Sequence, residues 1–358
     1  MSTQLAEAAK AGNVTLALRL LKKKGVNVNE TDSGGRTPLM YASNGNFVAL
    51  VELLVKKGGA DVNQADHRGF TALYISSQVN NTAVVKWLVE KGGARVDKAM
   101  NDGTTPLHLS SFNGLQEVVK LLLANGANVD QADNDGSTPL YASSQNGLQE
   151  VVKLLLANGA NLDQARNDGA TPLFISSQEG HQGVVKLLLA NGANVDHVRN
   201  GGFTPLFVSS QQGHKEVVKL LLANSAKVEQ AADNGGTPLS ISRLAAKVEQ
   251  AADNGGTPLS ISRLAGHREV EELLLASIAK LEQAEQAAKV EVVKEEEGQV
   301  KKAARVCEKC GKEAEKMKKC SACKLVRYCT KVCQLKDWKE HKKSCKRAAA
   351  RKEGGKGS

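Results

Sequence analysis

Residues 138–159 decide the fold, and they read TPLYASSQNGLQEVVKLLLANG. The hydroxyl of Thr138 can cap the N-terminus of a helix, and the proline after it loses no hydrogen bond at the first helical position. A short helix over 139–145 is therefore predicted, ending at an Asn-Gly pair. A second helix over 148–156 is predicted to stop at Gly159, which can supply a left-handed C-terminal turn.

The same pattern recurs along the chain at a nearly fixed spacing. Successive Thr-(Pro/Ala)-Leu triplets are separated by 34 residues twice and then by 33 residues four times. The triplets begin at Thr37, Thr71, Thr105, Thr138, Thr171, Thr204, Thr237 and Thr257. Spacing of this size is typical of stacked repeats, in which each unit contacts only its neighbours. The Asn-Asp-Gly sequence at 134–136 and its equivalents predict hairpin-like loops between units.

These units resemble the ankyrin repeat, most clearly at Gly103-Thr104-Thr105-Pro106-Leu107-His108. The resemblance spans about residues 3–285 and implies a solenoid that binds other proteins rather than a catalyst. The chain departs from the family pattern at two positions, and in both the replacing side chains have a size compatible with close stacking. The histidine of the family pattern is replaced in the other units by Met40, Tyr74, Tyr141, Phe174 and Phe207. The usual pair of alanines on the inner helix is replaced by Ser110-Ser111, Ser143-Ser144, Ser176-Ser177 and Ser209-Ser210.

Several positions near the hairpin tips differ from one unit to the next. They are candidates for partner contacts, with ordinary solvated loop positions as the alternative. These residues are His67, Arg68, Phe70, Arg166, His197, Arg199 and Phe203. The aromatic residues Tyr141, Phe174 and Phe207 are instead expected to pack between repeats, and Trp87 is expected to fill space in the core.

An exact duplication interrupts the repeats, because residues 226–245 recur unchanged as residues 246–265. The first copy lacks the 13 residues (33 − 20) that would supply a second helix. Half a repeat cannot bury its own apolar stripe, so we expect the stack to be strained or broken near residues 233–252. Ser225 replaces a helix-ending glycine, at a cost of about 1 kcal/mol. The alternative is that the duplication is a gene-model or assembly error, which sequencing of the transcript across residues 226–265 would reveal.

All seven cysteines lie between residues 307 and 345, which favours metal ligation in a reducing intracellular compartment, cytoplasmic or nuclear. With one histidine they form eight ligands, enough for two tetrahedral, structural Zn²⁺ sites without an open position. The ligands are Cys307, Cys310, Cys320, Cys323, Cys329, Cys333, His341 and Cys345. So short a segment has too few large apolar residues for a core, so zinc must supply folding free energy, on the order of 10–16 kcal/mol per site.

The stretch 327–345, RYCTKVCQLKDWKEHKKSC, resembles a MYND finger and departs from that pattern at no ligand. A RING or PHD finger would close with Cys-x2-Cys and carry its histidine nearer the middle. The resemblance implies interleaved sites, which spacing alone leaves open. One zinc would be held by Cys307, Cys310, Cys329 and Cys333, and the other by Cys320, Cys323, His341 and Cys345.

The resemblance also implies that the finger docks short proline-containing peptides through Ser321, Gln334 and Trp338. Gln334 and Trp338 are four residues apart, which places them on one face of a helix. An apolar ring beside an amide suits a peptide backbone. The alternative is that Trp338 only covers a zinc site.

The formal charge of +10 is concentrated near the C-terminus. Residues 301–358 contain 20 Lys+Arg and 6 Asp+Glu, a balance of +14, whereas residues 1–300 have a balance of −4. Two Zn²⁺ ions and seven thiolates would lower the charge balance of residues 301–358 to about +11. Nucleic-acid binding by the basic finger and tail is therefore the alternative function. The segment has only Tyr328 and Trp338 as aromatics, and no base-reading motif is visible.

The predicted protein is mostly α-helical, with an ankyrin-repeat solenoid and a small two-zinc MYND finger. Its predicted domains are a capping repeat (1–32), six ankyrin repeats (33–232), a partial and a final repeat (233–285), a charged helical linker (286–306), the finger (307–345) and a basic disordered tail (346–358).

The remaining expectations concern membranes and chemistry. The N-terminus lacks a basic segment followed by a long apolar one, and no apolar run reaches roughly 20 residues, so neither a secretory leader nor a membrane span is expected. Neither a phosphate-binding glycine loop nor a Ser/His/Asp arrangement stands out. We therefore expect a non-enzymatic, monomeric adaptor with one protein on the ankyrin face and a peptide at the finger.

Overall fold

The computed structural model describes residues 4–228, 230, 232, 233, 268–270, 272–284 and 286, and the backbone of residues 318–319 and 327–328. The chain divides into two units, residues 1–278 and 279–358. In the first unit, the part up to residue 228 contains seven pairs of short helices. Their bounds are α1 (Gln4–Lys10), α2 (Val14–Leu21), α3 (Pro38–Asn44), α4 (Val48–Lys56), α5 (Ala72–Gln78), α6 (Thr82–Glu90), α7 (Pro106–Phe112), α8 (Gln116–Ala124), α9 (Pro139–Gln145), α10 (Gln149–Ala157), α11 (Pro172–Gln178), α12 (Gln182–Ala190), α13 (Pro205–Gln211) and α14 (Lys215–Ala223).

The helix pairs stack into two layers. Each odd-numbered helix packs on the next odd-numbered one, and each even-numbered helix packs on the next even-numbered one. We call the odd-numbered helices the inner layer and the even-numbered helices the outer layer. The mostly helical solenoid predicted from the repeats is confirmed.

The local signals in the quoted stretch act as predicted. Thr138 accepts a hydrogen bond from the backbone N–H of Tyr141 at 3.1 Å, and α9 then runs over Pro139–Gln145. The outer helix begins one residue later than predicted, because Leu148 is its N-cap residue. Gly159 has a φ of +81°, the left-handed conformation expected after the helix. The cap and the turn of each repeat thus follow from residues that are close in sequence.

The largest apolar cluster of the described residues runs along the stack between the two layers. In the fifth helix pair its members include Leu140, Val151, Val152 and Leu155, all at most 1% exposed. The aromatic predictions are confirmed, since Tyr141, Phe174 and Phe207 are 3%, 1% and 1% exposed and Trp87 is 6% exposed. The stack is therefore stabilised by the same few side chains repeated in each unit.

The paired serines occupy the alanine positions of the inner helices without widening the stack. Ser143 and Ser144 are both fully buried. The Ser143 hydroxyl donates to the carbonyl of Leu140 at 3.1 Å, whereas the Ser144 hydroxyl has no hydrogen-bond partner. The expectation of size compatibility is confirmed, and the second serine of each pair carries an extra desolvation cost.

Ser225 adopts the strained conformation expected of it. Its φ is +64°, whereas Gly126, Gly159 and Gly192 at the equivalent turns have φ values of +84°, +81° and +88°. A side chain at positive φ costs free energy that glycine avoids. The last complete repeat therefore ends less favourably than those before it.

The stack continues beyond α14 at both ends of the duplicated region. Ala226, Val228 and Ala232 are 6%, 3% and 4% exposed. Residues 268–270 and 272–278 are helical, and Val270 and Leu274 are fully buried in the same core as α14. Apart from residue 233, the predicted break near 233–252 lies outside the described residues.

In the second unit, residues 279–284 and 286 are helical, and β1 (Lys318–Lys319) pairs antiparallel with β2 (Arg327–Tyr328). The register places Lys318 opposite Tyr328 and Lys319 opposite Arg327. Beyond residue 286 the predicted linker, and the whole of the predicted tail, lie outside the described residues.

Candidate functional site

The hairpins between repeats join into a continuous row of backbone hydrogen bonds. The N–H groups of Asn134, Asn167 and Asn200 donate to the carbonyls of Asp102, Asp135 and Asp168 at 2.9, 3.0 and 3.0 Å. Because each tip is held by its neighbour, side chains on the row keep fixed spacings.

Two of the arginines proposed for partner contact bind within the stack. Arg199 Nη2 lies 3.0 Å from Asp168 Oδ2, and the guanidinium lies 5.5 Å from the ring centre of Phe174. Arg166 lies 5.3 Å from the ring centre of Tyr141 in the same way. Their side chains are still 36% and 32% exposed. Each arginine therefore links its repeat to the preceding one within the ankyrin stack itself.

The aromatic candidates are also engaged within the stack. Phe70 is 8% exposed and stacks on Tyr74 with ring centres 5.1 Å apart. Phe203 lies 5.0 Å from Phe207. The guanidinium of Arg68 lies 4.4 Å above the Phe70 ring.

Among the seven hairpin candidates, His67 and Arg68 are the exposed ones, and His197 is half-buried. The imidazole of His67 and the guanidinium of Arg68 can therefore meet a partner without unpacking the repeat.

Two exposed apolar residues escaped the sequence interpretation. Val79, the C-cap residue of α5, and Phe112, the last residue of α7, are 42% and 45% exposed. The other inner helices from α9 onward end in glutamine at the position of Phe112. Comparing the repeats position by position would have found it, because an apolar residue replaces a polar one where the helix ends in solvent.

Two histidines at the starts of outer helices link successive repeats. Nε2 of His181 lies 2.8 Å from the carbonyl oxygen of Gln145, and Nε2 of His214 lies 2.9 Å from that of Gln178. A carbonyl can only accept, so Nε2 donates in both bonds. These histidines are structural, since each is the N-cap residue of its outer helix and also binds the backbone of the preceding repeat.

His108 is the most buried histidine of the described part of the chain. Its Nε2 lies 3.2 Å from Ser137 Oγ and 3.7 Å from Asp133 Oδ2, and its Nδ1 is buried without a partner. Ser137 and Asp133 both face Nε2 of His108. In a nucleophilic triad the serine lies at one ring nitrogen and the aspartate at the other. Burial lowers the pKa of His108, and the nearby charges of Asp133 and Asp102 act in the opposite direction.

We expect the stability of the repeats to fall below pH about 6.5 because of His108. The unfolded histidine gains a proton near pH 6.5, and the buried one does so only at lower pH. The contribution is complete above the unfolded pKa and is lost as pH falls towards the folded pKa, by at most about 1.4 kcal/mol per pH unit. The measurement is the urea midpoint of the helical signal across this range.

The matched variant is His108→Phe, since phenylalanine occupies the equivalent position in α11 and α13. Subtracting its pH profile from that of the parent isolates His108 from the carboxylates that titrate in both. Identical profiles would contradict a buried, neutral histidine.

The predicted zinc ligands and peptide contacts lie outside the described residues. The described residues nearest to them in sequence are those of β1 and β2. Between these strands the sequence contains Cys320 and Cys323, the two ends of a Cys-x2-Cys motif. Thiolates at this spacing fit a tetrahedral zinc ion. Within the described part, no three His, Cys, Asp or Glu side chains are grouped to hold a metal.

No helix among the described residues has the length and apolar character needed to cross a membrane.

Comparisons with known proteins agree with both parts of the chain. The family model for ankyrin repeats matches three times, at residues 5–100, 93–166 and 158–232, and the model for the MYND finger matches residues 307–345. The search of curated proteins gives no match.

Solved structures of ankyrin domains resemble the chain. The ankyrin repeat domain of Bcl-3, described as a unique member of the IkappaB protein family, is 28% identical with a TM-score of 0.57, covering 62% of this chain and 98% of its own. The human ASB11 ankyrin repeat domain is 26% identical with a TM-score of 0.54, covering 68% of this chain and 98% of its own.

Ankyrin repeats and MYND fingers are both protein-interaction modules, and the MYND finger binds zinc. These matches support an adaptor role. The chain belongs to the ankyrin-repeat family and carries a C-terminal MYND-type zinc finger.

Proposed function

We propose that this chain is a non-enzymatic adaptor, with one protein partner on the ankyrin repeats and a short proline-containing peptide at the zinc finger. The observation that carries the proposal is the exposed ring of Phe112, which is 45% exposed at the end of an inner helix where α9, α11 and α13 carry glutamine. An aromatic side chain exposed at a polar surface is a favourable place for a partner to bury area.

On the ankyrin side, the partner contacts the ends of the inner helices around Phe112. His67 and Arg68 are exposed on the hairpins and supply further polar contacts. Arg166 and Arg199 contribute less, because a partner would have to compete with their ion pairs inside the stack.

At the finger, two structural zinc ions hold the peptide site in shape. One is bound by Cys307, Cys310, Cys329 and Cys333, and the other by Cys320, Cys323, His341 and Cys345. Ser321, Gln334 and Trp338 contact the peptide. The family match over 307–345 supports this assignment, and so does the four-residue spacing of Gln334 and Trp338. The clustered cysteines favour a reducing, intracellular compartment. The adaptor acts as a monomer in this proposal.

Affinity purification of the full chain tests the two surfaces separately. Trp338→Ala is expected to remove peptide-dependent partners, with at least a roughly 30-fold loss of affinity if Trp338 is a hot-spot residue. Phe112→Gln, which installs the residue found in α9, α11 and α13, is expected to remove a different set of partners. Gln145→Ala at the equivalent position of α9 is the matched control and should change neither set.

Nuclease and salt decide between this function and nucleic-acid binding. The proposal predicts that finger-dependent partners survive nuclease and moderate salt and are lost in Trp338→Ala. Loss on nuclease treatment together with indifference to Trp338→Ala would favour phosphate-backbone binding by the basic segment. Identical partner sets for the parent and all variants would contradict both surfaces.

A further inference from the structure

The C-terminal ends of the first three outer helices carry a group of exposed lysines. The C-cap residues of α2, α4 and α6 are Lys22, Lys57 and Lys91, and all three side chains are exposed. With their exposed neighbours they form a surface that we call the lysine edge. It comprises Lys22, Lys23, Lys24, Lys56, Lys57 and Lys91.

Packing of the outer layer brings the three helix ends side by side. α2 packs on α4, and α4 packs on α6. The turn after α4 reaches the previous repeat, since a Cβ added at Gly58 would lie 3.0 Å from a methyl group of Val28. The pKa of Glu52 in α4 is lowered by its hydrogen bond to Lys56 and, more weakly, by the charge of Lys91 in the next repeat. The lysines therefore belong to one continuous edge.

The fold does not require lysine at these positions. The C-cap residue of α8, α10, α12 and α14 is an asparagine. Each of these asparagines donates through Nδ2 to the carbonyl four residues earlier at 2.8 Å, which adds a hydrogen bond to the last turn of its helix. A lysine charge suits a helix C-terminus. Asparagine, however, stabilises the same turn in the later repeats without any charge.

The side chains that link successive outer turns change in the same direction. The backbone N–H groups of Asp61 and Arg95 donate to the amide oxygens of Asn29 and Asn63 at 2.8 and 2.7 Å. In the next four links the acceptor is a carboxylate instead. These acceptors are Asp97, Asp130, Asp163 and Asp196. The repeats that gain lysines thus also have a neutral acceptor where the later repeats have a negative one.

The outer side of the stack is consequently polarised along its length. Residues 14–31, 48–65 and 82–99, which contain α2, α4 and α6 with the turns after them, have 10 Lys+Arg and 5 Asp+Glu, a balance of +5. Residues 116–132, 149–165 and 182–198, which contain the next three outer helices and turns, have 3 Lys+Arg and 5 Asp+Glu, a balance of −2. Only the first three repeats present a positive outer surface among these six.

We propose that the lysine edge is a second binding surface of the ankyrin repeats and takes an extended acidic segment of a protein partner. Two helix spacings of about 8–10 Å make the edge about 20 Å long, which roughly six extended residues would span. Aspartate and glutamate side chains of such a segment pair with the lysines as point charges. The lysines of the edge offer no aromatic ring on which nucleic-acid bases could stack. This surface lies on the outer layer, whereas Phe112 ends an inner helix, so the two are independent.

Photo-cross-linking in the full chain tests the position of the surface. The probe is an octaglutamate peptide with a photo-reactive group, and mass spectrometry locates the adducts. Adducts around Lys22, Lys57 and Lys91 are expected to exceed several-fold those around Lys186, an exposed lysine in α12. They should decline with added salt, because exposed charges are screened. Equal yields at the lysine edge and at Lys186 would overturn the proposal.

A double variant, Lys57→Asn with Lys91→Asn, installs the asparagine of the later repeats and so keeps the helix ends. The peptide concentration that half-saturates the adducts at Lys22 is expected to rise about five-fold, as for the loss of two exposed ion pairs. Lys120→Gln with Lys153→Gln is the matched control, since it removes the same charge from α8 and α10. Neither this control nor Phe112→Gln should change the half-saturating concentration.

The same titration separates the proposal from its alternatives. An equal rise in the control would show that net charge, not the lysine edge, attracts the peptide, and would overturn the proposal. So would an unchanged concentration in the Lys57→Asn, Lys91→Asn variant. If an eight-nucleotide single-stranded DNA displaced the probe at a lower concentration than unlabelled octaglutamate, the acidic protein segment would be the wrong partner.

Discussion

Removal of zinc is expected to unfold residues 307–345 and to leave the ankyrin repeats folded. The finger has too few large apolar residues for a core, so its folding free energy comes from the metal, on the order of 10–16 kcal/mol per site. The repeats have their own continuous core. In the part of the chain described, no three His, Cys, Asp or Glu side chains are clustered so that they could hold a metal ion. A chelator should therefore abolish finger structure while most of the helical circular dichroism remains.

Metal analysis of reduced, unchelated protein should find two zinc ions per chain. Cys345→Ala should lower that number, and the neighbouring Ser344→Ala serves as the control because serine is not a predicted ligand. A zinc content near zero in the parent would refute the finger assignment. Parallel loss of the repeat helices on chelation would refute the independence of the two parts.

Leu155→Ala is expected to destabilise the repeats by about 3 kcal/mol. Leu155 in α10 is fully buried, and truncation removes its contacts and leaves a cavity between the two layers. Neighbouring repeats on both sides pack against α10, so the loss weakens two interfaces. Urea unfolding of the parent and the variant, followed by helical circular dichroism, measures the difference in free energy.

The matched variant Leu156→Ala should cost clearly less, because Leu156 is the next residue in the same helix and is only partly buried. Both changes remove the same atoms and have the same effect on helix propensity. Equal losses for the two variants would contradict the division of the helix into a buried and a solvent-facing side.

Much of this architecture could be predicted from single repeats. The extent of α9, the cap at Thr138 and the turn at Gly159 all follow from residues that are close in sequence. The family matches bear out both predicted modules. The zinc ligands and the peptide contacts remain predictions from spacing and resemblance.

The roles of the hairpin residues could not be predicted in the same way. Arg199 was a candidate for a partner, yet it binds Asp168 and covers Phe174. His108 fits the family pattern, but its burial between repeats lowers its pKa. In both cases the deciding neighbour lies about 25–31 residues away, in the adjacent repeat.

The sequence by itself determined that the chain stacks repeats, where an inner helix such as α9 begins and ends, and that seven cysteines and one histidine cluster near the C-terminus. Caps, turns and periodicity act over a few residues, so they are readable without a structure. Only the tertiary structure decided which hairpin tips are engaged inside the stack and that Phe112 is exposed. Those properties depend on which side chains of neighbouring repeats come into contact, and the pattern within a single repeat does not encode that.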